Sequence, residues 1–271
     1  RAAGNAMVEF VAKRPQGLVK LLAEQGVPFS EAQRALRKRD VKVNGARVGR
    51  DVEVQAGDKV VAYVREEKKP PAVIYEDENV LAADKPKGVD SEAFFQALKE
   101  GRELYFVHRL DRNTDGLLVF AKNEAAKEAL LAGFRTHAFE KYYLAEVYGS
   151  FEKKSGTLAD YLVKDAEKAQ VKIYGRPVKG AVRIETQYKT LKESGGTSLL
   201  EVRLVTGKTH QIRAHLAYYG HFVIGDGKYG KDSVNRLYGA KKQRLSAERL
   251  VFHFANGPLC YLDGKTIKRK N

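Results

Sequence analysis

One polar turn in the sequence combines residue types that can do chemistry. Residues 107–116 read VHRLDRNTDG and lie between two apolar runs, LYF and LLVFA. Asp111 follows Leu110 directly and has Arg109 and Arg112 beside it. Neighbouring guanidinium groups keep a carboxylate ionised, and an ionised carboxylate held in place can act as a nucleophile. The alternative is an ordinary turn aspartate that only bonds the local backbone.

Other kinds of catalytic site find little support in the sequence. His210 and His215 are five residues apart, which puts them on different faces of a helix, unlike the i, i+4 pair of zinc proteases. The sequence contains no G-x-x-x-x-G-K-[ST] loop, and no predicted strand leads into a G-x-G-x-x-G loop. A serine or cysteine nucleophile elbow is missing as well. We therefore expect side-chain chemistry without a metal or a cofactor.

The composition favours a polyanionic partner. The 271 residues carry a formal net charge of +15, and such an excess attracts nucleic acid. No apolar run approaches the ~18 residues of a spanning helix, and RAAGNAMVEF has no signal-peptide core, so we expect no membrane partner. Cys260 is the single cysteine, which fits a reducing, cytoplasmic setting.

The first 64 residues predict a small unit of two helices and a hairpin. In PQGLVKLLAEQG the apolar positions recur at helical spacing, and Gly26 suits the C-terminal end of that helix. Ser30 and Gln33 have capping-box spacing, so a second helix is expected to begin at Ser30. Asn44-Gly45 within VKVNGARV is typical of a hairpin turn, and GDKVVAYV predicts a further strand.

Basic residues are concentrated in this small unit. Between residues 34 and 50 seven Lys/Arg stand against one acid, on a helix, a turn and a hairpin that follow one another in sequence. They could share one face, which favours an RNA-binding surface over a merely solvated one. The candidate RNA contacts are Arg34, Arg37, Lys38, Arg39, Lys42 and Arg47. The charged segment 65–72, REEKKPPA, indicates a stiff linker.

The remaining residues predict one larger α+β domain. AVIYED and NVLAADK are expected to pair, GLLVFAK predicts a strand, and Asn123 is expected to cap a helix. A second helix, THQIRAHLAYYG, should end near Gly220. Further strands are predicted along the chain, including ERLVFHF and PLCYL. Because strands and helices do not alternate regularly, we expect a mixed or antiparallel sheet.

HRLDRNTDGLLVFAK resembles the signature of the RluA family of pseudouridine synthases. Four further segments are similar to that family's other motifs and stand in its order: 84–88, 141–149, 204–230 and 245–252. Residues 8–64 resemble the small alpha-L RNA-binding module, which commonly precedes this domain in the family. One departure is VDSEAFF after Gly88, where the family usually has His-Pro.

The resemblance implies a fold and a domain plan. The expected fold is α+β, with a helix-helix-hairpin RNA-binding domain in 1–64, the linker 65–72, and a pseudouridine synthase catalytic domain in 73–271. The catalytic domain of the family has a mixed, largely antiparallel sheet around a cleft. It isomerises uridine in RNA to pseudouridine without a cofactor.

The resemblance also implies roles for single residues. Asp111 falls on the family's nucleophile, Tyr143 on its active-site tyrosine and Arg213 on the basic residue that pairs with the aspartate. Carboxylate attack on the sugar, elimination to a glycal and addition to the uracil ring all need an ionised aspartate. Tyr143 could serve as base, hold a water that does so, or stack on the uracil. Further candidate RNA contacts near the turn are Arg109, Arg112, Lys85 and His210.

We therefore predict a cytoplasmic, monomeric enzyme that isomerises uridine in large-subunit ribosomal RNA. Transfer RNA is the alternative substrate, and a non-catalytic ribosome assembly factor is the alternative function. Hydrolysis would ordinarily need two working carboxylates or a metal. Asp115 is the other acid of the turn, and it would have to work beside Asp111.

Overall fold

The computed structural model describes residues 5–65 and 71–270. These residues form two compact units, one on either side of the gap. Most of the predicted linker 65–72 lies outside the described residues, and the assignment of domain boundaries stays a prediction.

The first unit packs two short helices against small sheets. Its elements are β1 (Asn5–Val11), β2 (Gln16–Gly17), α1 (Leu18–Glu24), α2 (Phe29–Arg37), β3 (Val41–Val43), β4 (Ala46–Val48), β5 (Glu53–Val54) and β6 (Lys59–Arg65). The main sheet has the order β1-β6-β3-β4, and β2 pairs with β5. Leu18 and Leu22 of α1 and Val41 and Val60 of the sheet are fully buried, so the unit has its own apolar core.

The helix and hairpin predictions for this unit are confirmed with one error. Asn44 and Gly45 have φ angles of 48° and 82°, as a two-residue hairpin turn requires. The capping box at Ser30 is wrong, because α2 begins at Phe29 with Pro28 in the N-cap position. Ser30 therefore lies inside the first turn and does not cap it. Strand β1 was missed by the sequence analysis.

The second unit is built on one large sheet. Its elements are β7 (Ala72–Glu76), β8 (Val80–Lys85), α3 (Ser91–Lys99), β9 (Tyr105–Phe106), β10 (Asp115–Ala121), α4 (Glu124–Arg135), β11 (Phe139–Tyr148), β12 (Ser155–Asp165), β13 (Gln170–Tyr174), β14 (Val182–Ser194), β15 (Thr197–Leu204), α5 (Gln211–Tyr218), α6 (Asp232–Leu237), β16 (Leu245–Phe252), a 3-10 turn (Cys260–Leu262) and β17 (Thr266–Lys268).

The strand order of the large sheet is β13-β12-β14-β15-β11-β16-β10-β8-β7, with β17 added to β16 and β9 to β10. Within the described residues β10 and β16 pair in parallel at Asp115–Gly116, and the other pairs are antiparallel. Gly116 has φ +114°, and a Cβ there would run into the backbone of Ala247. Only glycine fits this close approach. The predicted mixed, largely antiparallel sheet is confirmed.

Most local predictions for the second unit are confirmed. β7 pairs with β8, and the Asn123 side chain caps α4 by accepting a bond from the Ala126 N–H at 2.9 Å. The strand predicted at PLCYL is wrong, because Leu259 and Leu262 are both buried at i, i+3 spacing and the segment forms a 3-10 turn. Helices α3 and α6 and strands β12 and β13 were not predicted from the sequence.

Central strands bring the candidate residues together. The polar turn leads into β10, β11 lies beside β15 and β16, and α5 follows the turn after β15. Phe94 and Phe95 of α3 pack with Leu110 on the turn side, whereas Ile212 and Leu216 of α5 pack against the β11–β15 region. Tyr143 contacts both of these apolar clusters.

Candidate active site

Backbone contacts hold the turn that carries Asp111. Ser91 Oγ donates to the Leu110 carbonyl at 2.8 Å and accepts from the Leu110 N–H at 2.9 Å. Ser91 is fully buried at the start of α3, within the VDSEAFF segment. The Thr114 N–H donates to the Asp111 carbonyl at 3.0 Å and closes the turn. The backbone on both sides of the Asp111 side chain is thus fixed.

Lys85 holds the same turn from inside the protein. Its ammonium donates to the carbonyls of Pro86 at 3.0 Å, Val89 at 2.8 Å and Arg112 at 3.1 Å. The side chain is fully buried, and burial lowers the Lys85 pKa to about 8. Lys85 is therefore a structural residue and not the RNA contact that we predicted.

Arg213 of α5 joins two carboxylates. Its Nη1 donates to Asp111 Oδ2 at 2.8 Å, while Nε and Nη2 donate to Asp226 at 2.6 and 3.0 Å. Burial by itself would lower the Arg213 pKa, but the bonds and charges of Asp226 and Asp111 outweigh burial and raise it. Asp111 therefore faces a permanent positive charge through one of its two oxygens.

Asp226 is a site residue that the sequence analysis missed. It is fully buried and accepts backbone N–H bonds from Lys228 at 2.9 Å and Tyr229 at 3.0 Å, besides the two bonds from Arg213. Burial would raise the Asp226 pKa, but the Arg213 contacts and these N–H groups lower it. The signal in the sequence was an acid inside a glycine-rich stretch, GDGKYG, following a buried apolar run.

His210 lies on the other side of Asp111. It has φ 54°, in the left-handed region, at the N-cap of α5. Its Nδ1 lies 2.8 Å from the Tyr229 hydroxyl, which also accepts a bond from the Val171 N–H. The other ring nitrogen, Nε2, lies 3.9 Å from Asp111 Oδ1. Burial lowers the His210 pKa although Asp111 opposes that effect.

Tyr143 completes the predicted trio. It lies on β11, opposite Val202 of β15, and its ring lines the same cavity as Asp111 and Arg213. Burial and the Asp111 charge both raise the Tyr143 pKa. The phenol therefore keeps its proton at neutral pH.

The cavity has about 660 Å³ and one negative side chain. Among the described residues that line it, Asp111 is the single carboxylate. The cations of the lining are Arg109, Arg135, Lys141, Lys208 and Arg213. Asp115 points elsewhere: it bonds Arg269 at 2.9 Å and Ser246 at 2.6 Å. A pair of working carboxylates, as most glycosidases use, is not assembled by these residues.

Arg109 and Arg112 are exposed on the rim of the turn. Arg109 contacts Glu92 at 3.2 Å and lines the cavity, whereas Arg112 contacts Asp90 at 3.4 Å and does not line it. Both ion pairs are more than half exposed, and such pairs contribute little to stability. Both guanidinium groups can therefore exchange their protein partners for phosphates.

His108 is packed beneath the turn. Its Nε2 accepts the Val119 N–H at 2.9 Å, and its ring stacks on Phe134 at 4.4 Å between centroids. Burial lowers the His108 pKa to about 3, and the charge of Lys141 adds to that effect. The imidazole is neutral and structural at physiological pH.

Comparison with known proteins decides the family. Residues 79–218 match the family model described as RNA pseudouridylate synthase, and this range includes all three residues of the predicted trio. This chain belongs to the RNA pseudouridylate synthase family. It is an enzyme of the isomerase class, and the predicted pseudouridine synthase membership is confirmed.

Relatives in this family are similar in sequence to most of the chain. Ribosomal large subunit pseudouridine synthase C of Vibrio cholerae serotype O1 is 32% identical over 86% of this chain and 80% of its own length. The protein of the same name from Escherichia coli strain K12 is 32% identical over 85% and 80%. The structure of human RNA pseudouridylate synthase domain containing 1 matches with a TM-score of 0.63 and 23% identity, over 74% of this chain and 83% of that one, which supports the fold.

In the first unit the predicted RNA contacts divide into two groups. Arg34 pairs with Glu31 at 2.8 Å and Asp40 at 3.1 Å and is 16% exposed, so it stabilises the unit and is not freely available to RNA. The other five lie at the surface, with Lys42 half-buried: Arg37, Lys38, Arg39, Lys42 and Arg47. No helix in the described part of the chain is long and apolar enough to cross a bilayer.

Proposed function

We propose that this chain converts uridine to pseudouridine in large-subunit ribosomal RNA, with Asp111 as the nucleophile. The family gives the reaction, and the printed names of the relatives support the choice of RNA. The observation that best supports this role is that Asp111 is the single acid among the described residues that line the cavity.

The two oxygens of Asp111 have different tasks in this proposal. Oδ2 accepts from Arg213, which keeps the carboxylate ionised and fixes its direction. Oδ1 lies 3.9 Å from His210 Nε2, beyond hydrogen-bond range, and is open to a substrate. Attack at the sugar carbon, elimination to a glycal and addition to the uracil ring all use this ionised oxygen. The reaction oxidises nothing and transfers no group to a second molecule, so it balances without a cofactor.

Tyr143 acts as a neutral phenol in this proposal. The raised pKa disfavours a tyrosinate, so Tyr143 is better suited to hold the uracil than to take its proton. After the new carbon–carbon bond forms, the proton on ring carbon 5 leaves to Asp111 or to water. A ring that stacks on the uracil keeps it in place while it turns between the two bonds.

The RNA must present an unstacked uridine to this cavity. Enzymes that act on a base in structured RNA turn the nucleotide out of its stack and bind it in a pocket. Arg109 and Arg112 lie on the turn beside Asp111 with weak protein partners, which suits them to hold displaced phosphates. Arg109 is the better placed of the two because it lines the cavity.

The first unit serves as an additional RNA contact in this proposal. Its two helices followed by a hairpin resemble the alpha-L module, and its exposed cations suit phosphate groups of an RNA backbone. Arg39 and Arg47 are neighbours, since Arg47 Nη1 donates to the Arg39 carbonyl at 3.3 Å. We further propose that the enzyme works as a monomer in the cytoplasm, where ribosomal RNA is present.

Mapping pseudouridine in total RNA tests the proposal. Cells with and without this chain are compared, and purified protein is added back to RNA from the deficient cells. We expect one or more sites in large-subunit ribosomal RNA to disappear and to return on addition. Loss of a pseudouridine from transfer RNA instead would show that the substrate is transfer RNA. An unchanged map, with RNA binding retained, would favour the assembly factor.

A further inference from the structure

Lys141 is a cation of the cavity wall that the reaction described above does not use. It lies on β11 two residues before Tyr143, so both side chains are on the same face of the strand, and both line the cavity. Its backbone is opposite Leu204, the last residue of β15. Lys141 is therefore beside the turn 205–209 that leads into α5.

A glycine makes room for the Lys141 ammonium. A Cβ added to Gly207 would meet Lys141 Nζ closely, so a side chain at this position would displace the ammonium. Lys208 and Thr209 follow Gly207 and line the same cavity. The ammonium thus lies against a turn whose neighbouring side chains face the cavity.

Lys141 differs from the other buried lysines near the site because the described residues provide no anion for it. Lys85 donates to three carbonyls, and Lys87 pairs with Asp115 and bonds the Gln243 carbonyl. Burial lowers the Lys141 pKa, and no described acid offsets that effect. A half-buried charge without a partner is unfavourable in the free protein. Such an ammonium is suited to an anion that arrives with the substrate.

We propose that Lys141 binds a phosphodiester of the RNA strand next to the everted uridine, an inference that rests on the proposed function. Uracil is uncharged in the bound substrate, whereas each linkage of the strand carries a negative charge. Lys141 is two residues from Tyr143, roughly 7 Å along β11, so it reaches past a base held at Tyr143 towards the backbone. Arg135 and Lys208 also line the cavity and add positive potential.

Binding and kinetics of three variants test this site. The variants are Lys141→Met, Lys141→Arg, and Lys164→Met as a matched control, because Lys164 is exposed on β12 and does not line the cavity. We expect Lys141→Met to raise KM and Kd for RNA about tenfold and to keep kcat within about threefold of the wild-type value. This is the result of losing a contact that is equally strong in the bound substrate and in the transition state. The slope of log Kd against log salt should fall by ~0.7–0.9, the value for one phosphate.

An uncharged methylphosphonate linkage can identify the phosphodiester that Lys141 contacts. An RNA oligonucleotide that wild-type protein binds, chosen to contain the mapped uridine where one is found, is made with a methylphosphonate at one linkage at a time. At one linkage near the target, we expect the substitution to weaken wild-type binding and to have no further effect on Lys141→Met, because two changes that remove one contact do not add. Lys141→Arg should retain sensitivity to that linkage, and Lys164→Met should behave as wild type.

Three outcomes would contradict the proposal that Lys141 binds a phosphodiester. They are a loss of kcat without a change in KM or Kd for Lys141→Met, equal weakening by Lys164→Met, or methylphosphonate effects that add at every linkage. The binding measurements need no turnover. If wild-type protein formed no pseudouridine, the proposed function would fail while these measurements still decided whether Lys141 contacts a phosphate.

Discussion

Charge placement around Asp111 is the main feature at the scale of single residues. Asp226 accepts from Nε and Nη2 of Arg213 and leaves Nη1 for Asp111, so the guanidinium is held towards the cavity. A buried ion pair of this kind fixes geometry more than it adds stability. We therefore propose that Asp226 acts through Arg213 and not on the substrate.

Replacing Asp226 tests that positioning role. We expect Asp226→Asn to lower kcat more than tenfold, because Arg213 loses its fixed direction, and to destabilise the fold by about 3–5 kcal/mol through a poorly paired buried charge. Steady-state kinetics and thermal unfolding measure the two effects. Glu146→Gln is the control, since it removes a partner of Arg244 outside the cavity. Equal loss of kcat in both variants would show that the loss does not depend on the contact with Arg213.

The protonation state of Tyr143 has a consequence for the pH profile. A tyrosinate base would make kcat rise about tenfold per pH unit below its pKa, because the ionised fraction rises by that factor. Burial and the Asp111 charge raise this pKa, so the phenol stays protonated and we expect kcat to be flat between about pH 6.5 and about pH 7.5, below the range in which Lys85 loses its proton. Single-turnover rates over this range provide the measurement, and a tenfold rise per unit would contradict the neutral phenol.

That Asp111, Tyr143 and Arg213 share one site could be predicted from the sequence, but the residues that support them could not. Asp111, Tyr143 and Arg213 stand within contiguous motifs, and the structure brings them to one cavity. Asp226 and Ser91 act through contacts with residues 13 and 19 positions away, which no local spacing reveals. Lys85 stood in a motif but was misread, since a lysine in a polar loop gives no sign that three carbonyls surround it.

At the scale of elements, α3 supports the turn that carries Asp111. Its buried face of Phe94, Phe95 and Leu98 anchors the helix, and Ser91 at its start holds Leu110 through both backbone groups. This helix contains most of the VDSEAFF departure. Its spacing of apolar residues is helical, so the sequence did contain a signal for α3, whereas two-residue strands such as β5 leave none.

Removing the Ser91 hydroxyl should displace the nucleophile. We expect Ser91→Ala to lower kcat about 10- to 100-fold with little change in KM, because small shifts of a reacting group cost rate steeply. The unpaired Leu110 groups should lower the free energy of unfolding by about 1–3 kcal/mol. Kinetics at a temperature where the variant is fully folded, with circular dichroism as the check, separates the two effects.

Ser198→Ala is the matched control for the Ser91 hydroxyl. Ser198 is also fully buried and donates to a backbone carbonyl, that of Gly149, at 2.6 Å. It does not line the cavity. The account requires comparable loss of stability in both variants and loss of kcat only in Ser91→Ala. An unchanged kcat in Ser91→Ala would show that α3 does not position the turn that carries Asp111.

At the scale of the whole molecule, the charge of +15 is the leading feature. Composition predicted a polyanion as partner, and the pattern of elements predicted an α+β fold. The strand order could not be predicted, because pairs such as Asp115 with Ser246 join residues far apart in sequence. Nothing in the local pattern of either strand specifies that partner.

The basic surface of the first unit should act on affinity and not on chemistry. We expect neutralisation of three exposed residues to raise KM, to leave kcat unchanged, and to lower the slope of log Kd against log salt by roughly 2–3. The set is Arg37→Gln, Lys38→Gln and Arg47→Gln. Titration of labelled large-subunit RNA at several salt concentrations measures the slope.

Charge removal elsewhere provides the control for that surface. The second unit offers a set of equal charge, all exposed: Lys153→Gln, Lys164→Gln and Lys189→Gln. These changes should leave KM near the wild-type value. If both sets changed the slope equally, RNA would be attracted by net charge alone and the first unit would have no dedicated surface.

The most direct test of the account is pseudouridine formation by Asp111→Asn, with Asp115→Asn beside it as the neighbouring acid outside the cavity. The measurement is product formed in large-subunit ribosomal RNA together with Kd for the same RNA. We predict that Asp111→Asn folds, binds RNA within about threefold of wild type and forms no detectable product, because a neutral amide cannot act as the nucleophile. Asp115→Asn should retain turnover. Turnover near the wild-type rate in Asp111→Asn would contradict the account.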